Sequence, residues 1–198
     1  MREFYALVDR MNEASPEARP AIEQRIRERF EVERAVFALD MSGFSLTVRR
    51  EGILAYLGMI RRMQLLTTPI IAAHGGELVK HEADNVLAVF TDTASAVRAG
   101  LEIQARLREQ GGQRPIKVSI GIDHGRFLHV PGADCFGDAV NTAFKLGEDL
   151  ADAGELLVTG SARDHLDATL RASVEIDDMV LSISGIEIRA ARVRERAG

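Results

Sequence analysis

Two aspartates in this sequence are placed to work together. Asp40 ends a short apolar run, residues 35–39, of the kind that forms a buried strand, and Asp84 lies in Ala83-Asp84-Asn85, a turn signal between two strand-like segments at 77–79 and 86–90. Taken singly, Asp40 could cap the following element, and Asp84 could be an ordinary turn aspartate. Taken together they offer more. One acid just outside the carboxyl end of a strand and a second on a neighbouring hairpin give hard oxygen ligands for Mg²⁺ beside a phosphate chain. The five histidines, His74, His81, His124, His129 and His165, show no i, i+4 pairing on a helix, which argues against a zinc site.

Holding two acids side by side requires a sheet, and the periodicities supply one. After the run that ends at Asp40, Met41-Ser42-Gly43-Phe44 reads as a tight loop, followed by a long helix with Ile53, Leu57, Ile60 and Leu65 as its apolar positions; Pro69 and Gly75-Gly76 close that region. A hairpin follows around Asp84. Ala96, Ala99, Leu101, Ile103 and Leu107 mark another helix, ended by Gly111-Gly112 and Pro115, and Ile116, Val118, Ile120 and Ile122 then alternate as a strand. Residues 137–152 read as a helix, 155–159 as a strand, and the last thirty residues as a helical turn and two strands. Near the N-terminus, Phe4, Leu7, Val8 and Met11 predict one helix, and Ser15-Pro16-Glu17 the start of a second that runs to about Phe30. The Arg and Glu residues of that second helix suit a solvated face or a dimerising, regulatory one. This order predicts an α+β fold, ferredoxin-like and two-layered, with a helical segment at 1–30 and the main domain at 31–198.

Composition narrows the class. With 198 residues, 46% of them hydrophobic, the chain can build one sizeable core. Its net charge of −5 disfavours a nucleic-acid surface, and the arginines at 189, 192, 194 and 196 are too few to reverse it. No apolar stretch is long enough for a membrane-spanning helix, and the N-terminus lacks a basic start followed by an apolar run, so the expectation is a soluble chain with no membrane partner. The single cysteine, Cys135, cannot form an internal disulfide, which suits a reducing, cytoplasmic compartment.

Several segments resemble one family in sequence order. Phe37-Ala38-Leu39-Asp40-Met41-Ser42-Gly43-Phe44-Ser45 resembles the first metal-binding segment of class III adenylate and guanylate cyclases. Gly75-Gly76-Glu77-Leu78-Val79-Lys80, with Asp84 and Ala88-Val89-Phe90, is similar to the family's hairpin with the second metal aspartate. Ser119-Ile120-Gly121-Ile122-Asp123-His124-Gly125 resembles its central strand and turn, and the block from Asp134 to Ala143 resembles the one that reads the base and orients the ribose. Gly154-Glu155-Leu156-Leu157-Val158-Thr159 is similar to the strand that follows.

The resemblance implies a homodimer with two shared sites that converts ATP to 3′,5′-cyclic AMP and pyrophosphate with two Mg²⁺ or Mn²⁺ ions. It implies that Asp40 and Asp84 hold the metals, that the backbone amides of Met41, Ser42, Gly43 and Phe44 cradle phosphates, that Lys80 and Asp134 read adenine, and that Asn141 orients the ribose. Three departures stand out. Lys145 occupies the place of an arginine that braces the α-phosphate, Ala83 that of a glycine, and Ser184-Gly185 that of a lysine-glycine pair for which Arg189 or Arg192 would have to substitute. A non-catalytic nucleotide-binding or dimerisation module is the alternative. A diguanylate-cyclase-like reading fails because Leu78-Val79-Lys80, rather than an acid and phenylalanine, follow Gly75-Gly76-Glu77.

Overall fold

The apolar run at 35–39 is buried throughout, with no alternation between buried and exposed positions. A strand shows this pattern when both of its faces are covered. Here β1 (Glu31–Met41) turns Phe37 and Leu39 towards α4 (Ile53–Ala73) and α5 (Thr93–Gln110), and Val36 and Ala38 towards α6 (Asp138–Lys145). The computed structural model describes residues 1–110, 115–183 and 185–196, and of residues 44–46 the backbone only. Gly111, Gly112 and Ser184 lie outside the described residues.

Among the described residues, one sheet carries the fold in the order β2-β3-β1-β4-β6-β8-β7, with β5 paired on β4. Its strands are β1, β2 (Glu77–Glu82), β3 (Asn85–Phe90), β4 (Val118–Val130), β5 (Asp134–Phe136), β6 (Leu156–Thr159), β7 (Val174–Ile183) and β8 (Ile186–Glu195). The first four follow the β-α-β-β-α-β course of a ferredoxin-like unit. All neighbouring pairs are antiparallel except β4 with β6. The expected α+β architecture is therefore present, and α6 adds cover to part of the second face.

Several boundaries differ from expectation for local reasons. The strand expected to turn at His124-Gly125 continues to Val130, because Gly125 keeps its place in the ladder opposite Arg34. Glycine is required at 121 instead. A β-carbon there would lie 2.1 Å from the Ala143 carbonyl oxygen and 2.5 Å from the Gly147 nitrogen, so its absence lets α6 settle on β4. The expected helix at 137–152 is α6 followed by a π turn, Leu146–Leu150. Gly137 lies outside it as the N-cap of α6, and the π turn carries the longer i→i+5 hydrogen-bond spacing, as in Ala151 N–H to the Leu146 carbonyl.

Helix formation after Asp40 also departs from expectation. The segment breaks into α3 (Phe44–Glu51) and α4 at Gly52, whose φ of 84° suits glycine. Pro69 does not end α4, which continues to Ala73. The carbonyl four residues back belongs to Leu65, on an exposed face where water can take its hydrogen bond. That exposure reverses an expectation: Ile53, Leu57 and Leu65 are about half exposed, while Tyr56, Met59, Met63, Thr67 and Ile71 form the buried face with Ile60.

At the N-terminus, α1 (Arg2–Glu13) and α2 (Arg19–Phe30) form a helical hairpin. The second helix starts at Arg19 with Pro20 in its first turn, three residues later than a cap at Ser15 suggested. Phe4, Leu7, Ile26 and Phe30 pack against Val130 at the far end of β4, and Phe4 stacks on Phe136 with ring centroids 5.4 Å apart. Near the C-terminus the expected single helical turn is two short helices, α7 (Gly160–Asp164) and α8 (Ala168–Ser173), capped by Thr159 and Asp167.

Candidate active site

Ladder register brings the two aspartates together. Leu39 pairs with Val86, so Asp40, one residue further along β1, faces the start of β3 and the Ala83-Asp84 turn before it. The charges sense one another. The Asp40 carboxyl is pushed up from 3.8 to about 6, first by burial and then by the negative charges of Asp84 and Glu148. Glu148 itself is raised by burial, Asp149, Asp84 and Glu82, and its Oε1 accepts a 2.7 Å hydrogen bond from Asn85 Nδ2.

Tyr56 completes this end of the site from below. Its ring is buried in the core, and its hydroxyl donates to Asp84 Oδ2 at 2.7 Å while lying 3.4 Å from the Met41 carbonyl oxygen. Ala83 adopts φ 52°, in the left-handed region that the first residue of a two-residue hairpin turn demands.

The loop after Asp40 is only partly free to bind an anion. Ser42 N–H donates to the Lys117 carbonyl at 2.9 Å, so that amide is already committed and leaves the expected cradle. Gly43, at φ 94°, turns the chain into α3, and no side chain caps the helix's first turn. The uncapped amides of a helix N-terminus carry partial positive charge and favour phosphate oxygens. The uncapped amides thus begin at Gly43 and Phe44, two residues along from the start of the expected cradle.

The second cluster lies on β2 and β5. Lys80 Nζ sits 3.1 Å from Asp134 Oδ2 and 3.2 Å from Glu82. Burial pulls the Lys80 ammonium down, but its hydrogen bonds to Asp134 and Glu82 outweigh that, so its pKa is raised and the charge retained. Asp134 is steadied through Oδ1, which accepts from Cys135 N–H at 2.9 Å. A register shift between Leu78 and Lys80 in the β2–β3 ladder accompanies this placement. Asn141 and Lys145 share one face of α6, four residues apart; Asn141 is exposed and Lys145 half-buried.

Other candidates are placed elsewhere. Arg192 is engaged by Glu155 at 2.7 Å, which leaves it a strand ion pair. Arg189 is exposed and lines a groove of about 490 Å³ with Arg163, Asp164 and Asp178, a groove that includes none of Asp40, Asp84, Lys80, Asp134, Asn141 and Lys145. Arg163 there is already paired with Asp178. His124 and His165 stack on each other at 3.7 Å. Among the described residues, no three His, Cys, Asp or Glu side chains are gathered closely enough to hold a metal by themselves.

Two hard carboxylates without a closed cage are nevertheless the donor set that suits Mg²⁺ or Mn²⁺, which bind through one or two carboxylates and complete their shells with water and substrate phosphates. Asp40, Asp84 and the α3 N-terminus fit that pattern. Sequence reasoning missed Tyr56 and Glu148. Tyr56 was legible in the spacing of Tyr56, Ile60, Met63, Thr67 and Ile71, the other stripe of α4; Glu148 depended on the π turn.

Comparison with known proteins bears on the fold. No protein-family model matches the chain, and no curated protein matches its sequence. Solved structures do match. An adenylate/guanylate cyclase/hydrolase from Silicibacter pomeroyi is 30% identical, with 84% of this chain and 99% of that one covered and a TM-score of 0.68. The adenylyl cyclase CyaB from P. aeruginosa is 20% identical over 84% and 96% of the two chains, TM-score 0.72. A guanylate cyclase domain from Catenaria anguillulae in complex with GTP is 19% identical over 84% and 99%, TM-score 0.73. Among the described residues, no helix is long and apolar enough to cross a membrane.

Proposed function

The chain belongs to the class III adenylate/guanylate cyclase family, and from that premise we propose that residues 31–198 form a catalytic domain that converts ATP to 3′,5′-cyclic AMP and pyrophosphate as a homodimer. The observation that carries the choice of ATP is the Lys80–Asp134 pair, two residues 54 positions apart held at 3.1 Å. The ammonium donates to a ring nitrogen of adenine and the carboxylate accepts from its exocyclic amine; guanine presents the reverse pattern. Inverting two such contacts leaves polar groups unpaired, at about 1–3 kcal/mol each, so ATP is preferred over GTP by at least about tenfold.

Asp40 and Asp84 would hold Mg²⁺ or Mn²⁺. Metal ions held there would supply Lewis-acid chemistry, lowering the pKa of the ribose 3′-hydroxyl that attacks the α-phosphorus and neutralising charge on the departing pyrophosphate. The chain itself does the rest. Amides at the start of α3 hold phosphate oxygens, Asn141 orients the ribose, and Lys145 meets charge developing on the α-phosphate. No covalent nucleophile is needed, and catalysis comes from position and electrostatics.

A second copy supplies the other half of each site. Support comes from α4, whose Ile53, Leu54 and Leu57 stand 49–80% exposed just after the phosphate loop, an apolar surface that a partner would cover. The short N-terminal hairpin is an extension to this domain, in keeping with neighbours that span 84% of this chain and nearly all of their own. The runner-up, a non-catalytic nucleotide-binding module, is favoured by one residue, Lys145, which lacks the planar fork of an arginine.

The test is direct. Purified protein is incubated with Mg²⁺ or Mn²⁺ and each of the four nucleoside triphosphates, and products are analysed for cyclic nucleotide and pyrophosphate. Cyclic AMP is the expected product. Asp40→Ala and Asp134→Ala proteins, inactive alone, should regain about a quarter of wild-type activity when mixed under subunit exchange, since half the dimers are mixed and each has one intact site. No recovery refutes the shared site, and binding of ATP without any cyclic product favours the module.

A further inference from the structure

Resting on the cyclase reading, we propose that Tyr56 is a positioning residue for Asp84, fixing that carboxylate for divalent-cation binding and tying it to the segment that carries Asp40. Asp84 alone would be poorly held. It occupies a two-residue turn whose other member, Ala83, is exposed and sits at φ 52°. An aspartate at a turn tip samples several rotamers unless a neighbour fixes it.

The neighbour is a rigid one. Tyr56 is 1% exposed, surrounded by core residues, and its hydroxyl is the polar end of an otherwise apolar side chain. At 2.7 Å its single proton goes to Asp84 Oδ2; the Met41 carbonyl at 3.4 Å is a secondary contact. One carboxylate oxygen of Asp84 is thereby fixed. Because Met41 follows Asp40 directly, one phenol oxygen touches both metal-bearing segments.

The contact is also part of a series. Along α4, Tyr56 meets Asp84, Gln64 Nε2 donates to the Ala83 carbonyl at 3.4 Å, and Thr68 Oγ1 lies 3.1 Å from His81 Nε2. Residues 56, 64 and 68 thus follow the hairpin backwards from 84 to 83 to 81. The helix straps the hairpin along its length, and Tyr56 is the member of the strap that reaches a charged group. Such outer partners of a metal ligand orient it, and their loss costs about 10- to 100-fold in metal affinity or activity.

The experiment compares wild type, Tyr56→Phe and Gln64→Ala. Phenylalanine keeps the ring and its packing, and removes only the hydroxyl. Binding of Mn²⁺ alone is followed by the loss of the free-ion electron paramagnetic resonance signal, and thermal unfolding of the metal-free proteins is measured in parallel. Tyr56→Phe is expected to weaken Mn²⁺ binding about tenfold, while Gln64→Ala, whose contact with the hairpin is the Ala83 carbonyl, leaves it within about twofold. Cyclic AMP formation by Tyr56→Phe should recover as Mn²⁺ is raised about tenfold. An unchanged Mn²⁺ affinity in Tyr56→Phe, with or without a lower unfolding midpoint, overturns the proposal and leaves Tyr56 as a packing residue. Wild type that binds no Mn²⁺ overturns the cyclase reading and this inference together.

Discussion

Replacing Asp40 with asparagine should make the metal-free protein more stable while removing its ability to bind metal. The carboxyl titrates at about 6 in the folded chain, against 3.8 as its ordinary value, because burial and the charges of Asp84 and Glu148 oppose ionisation. A shift of about two units corresponds to about 3 kcal/mol at full weight, and the half-exposed position reduces it to about 1–2 kcal/mol. The sign follows from proton binding. Between about pH 4 and 6 the folded state holds more protons on Asp40 than the unfolded state does, so stability falls as pH rises through that window, and the loss is complete above it. Asparagine carries no charge and escapes the loss. At pH 7.5 in EDTA, Asp40→Asn should unfold about 2–8 °C above wild type, given about 2–4 °C per kcal/mol for a chain of this size. At pH 4.5 the advantage should shrink to about a third, since most wild-type Asp40 is then protonated when folded. Added Mg²⁺ should raise the wild-type midpoint and leave Asp40→Asn unmoved, because a ligand stabilises only the state that binds it. Thermal melts by circular dichroism measure all three. A variant equal to or less stable than wild type at pH 7.5, or an advantage that persists undiminished at pH 4.5, would refute the argument that Asp40 is an electrostatic burden held in place for binding.

Two other substitutions test separate parts of the site. Ala83→Gly should raise stability by up to about 1 kcal/mol, as relief of a β-carbon at φ 52° exceeds the extra freedom glycine brings to the unfolded chain; urea unfolding that shows a loss would mean the turn is not strained. Lys145→Arg should raise kcat about tenfold and Lys145→Ala should lower it about tenfold, with KM for ATP within about twofold in both, because an interaction made mainly in the transition state appears in kcat. Steady-state kinetics in which alanine matches wild type would make Lys145 a bystander.

The local patterns in the sequence carried much of this protein. The apolar run ending at Asp40, the turn around Asp84, the alternation from Ile116 and the order of segments between them are properties of neighbouring residues, so strand, turn and helix could be read from spacing and turn chemistry. From those, and from the motifs, came the α+β fold and the candidate residues. Lys80 and Asp134 also entered that way, though only their family resemblance joined them.

Tertiary structure decided what depends on contacts distant in sequence. Two stripes of α4 have helical spacing, and only packing on the sheet made Tyr56, Met63 and Ile71 the inner one and left Ile53 and Leu57 outside. Ser42 could not be seen to spend its amide on Lys117, a partner 75 positions away. The need for glycine at 121 became visible only with α6 pressed against it, and Glu148 joined the acids through a π turn, which local propensity does not signal. In each case a one-dimensional pattern fixes which residues share a face or a turn, but burial, hydrogen-bond partners and electrostatic fields are set by what the folded chain brings alongside.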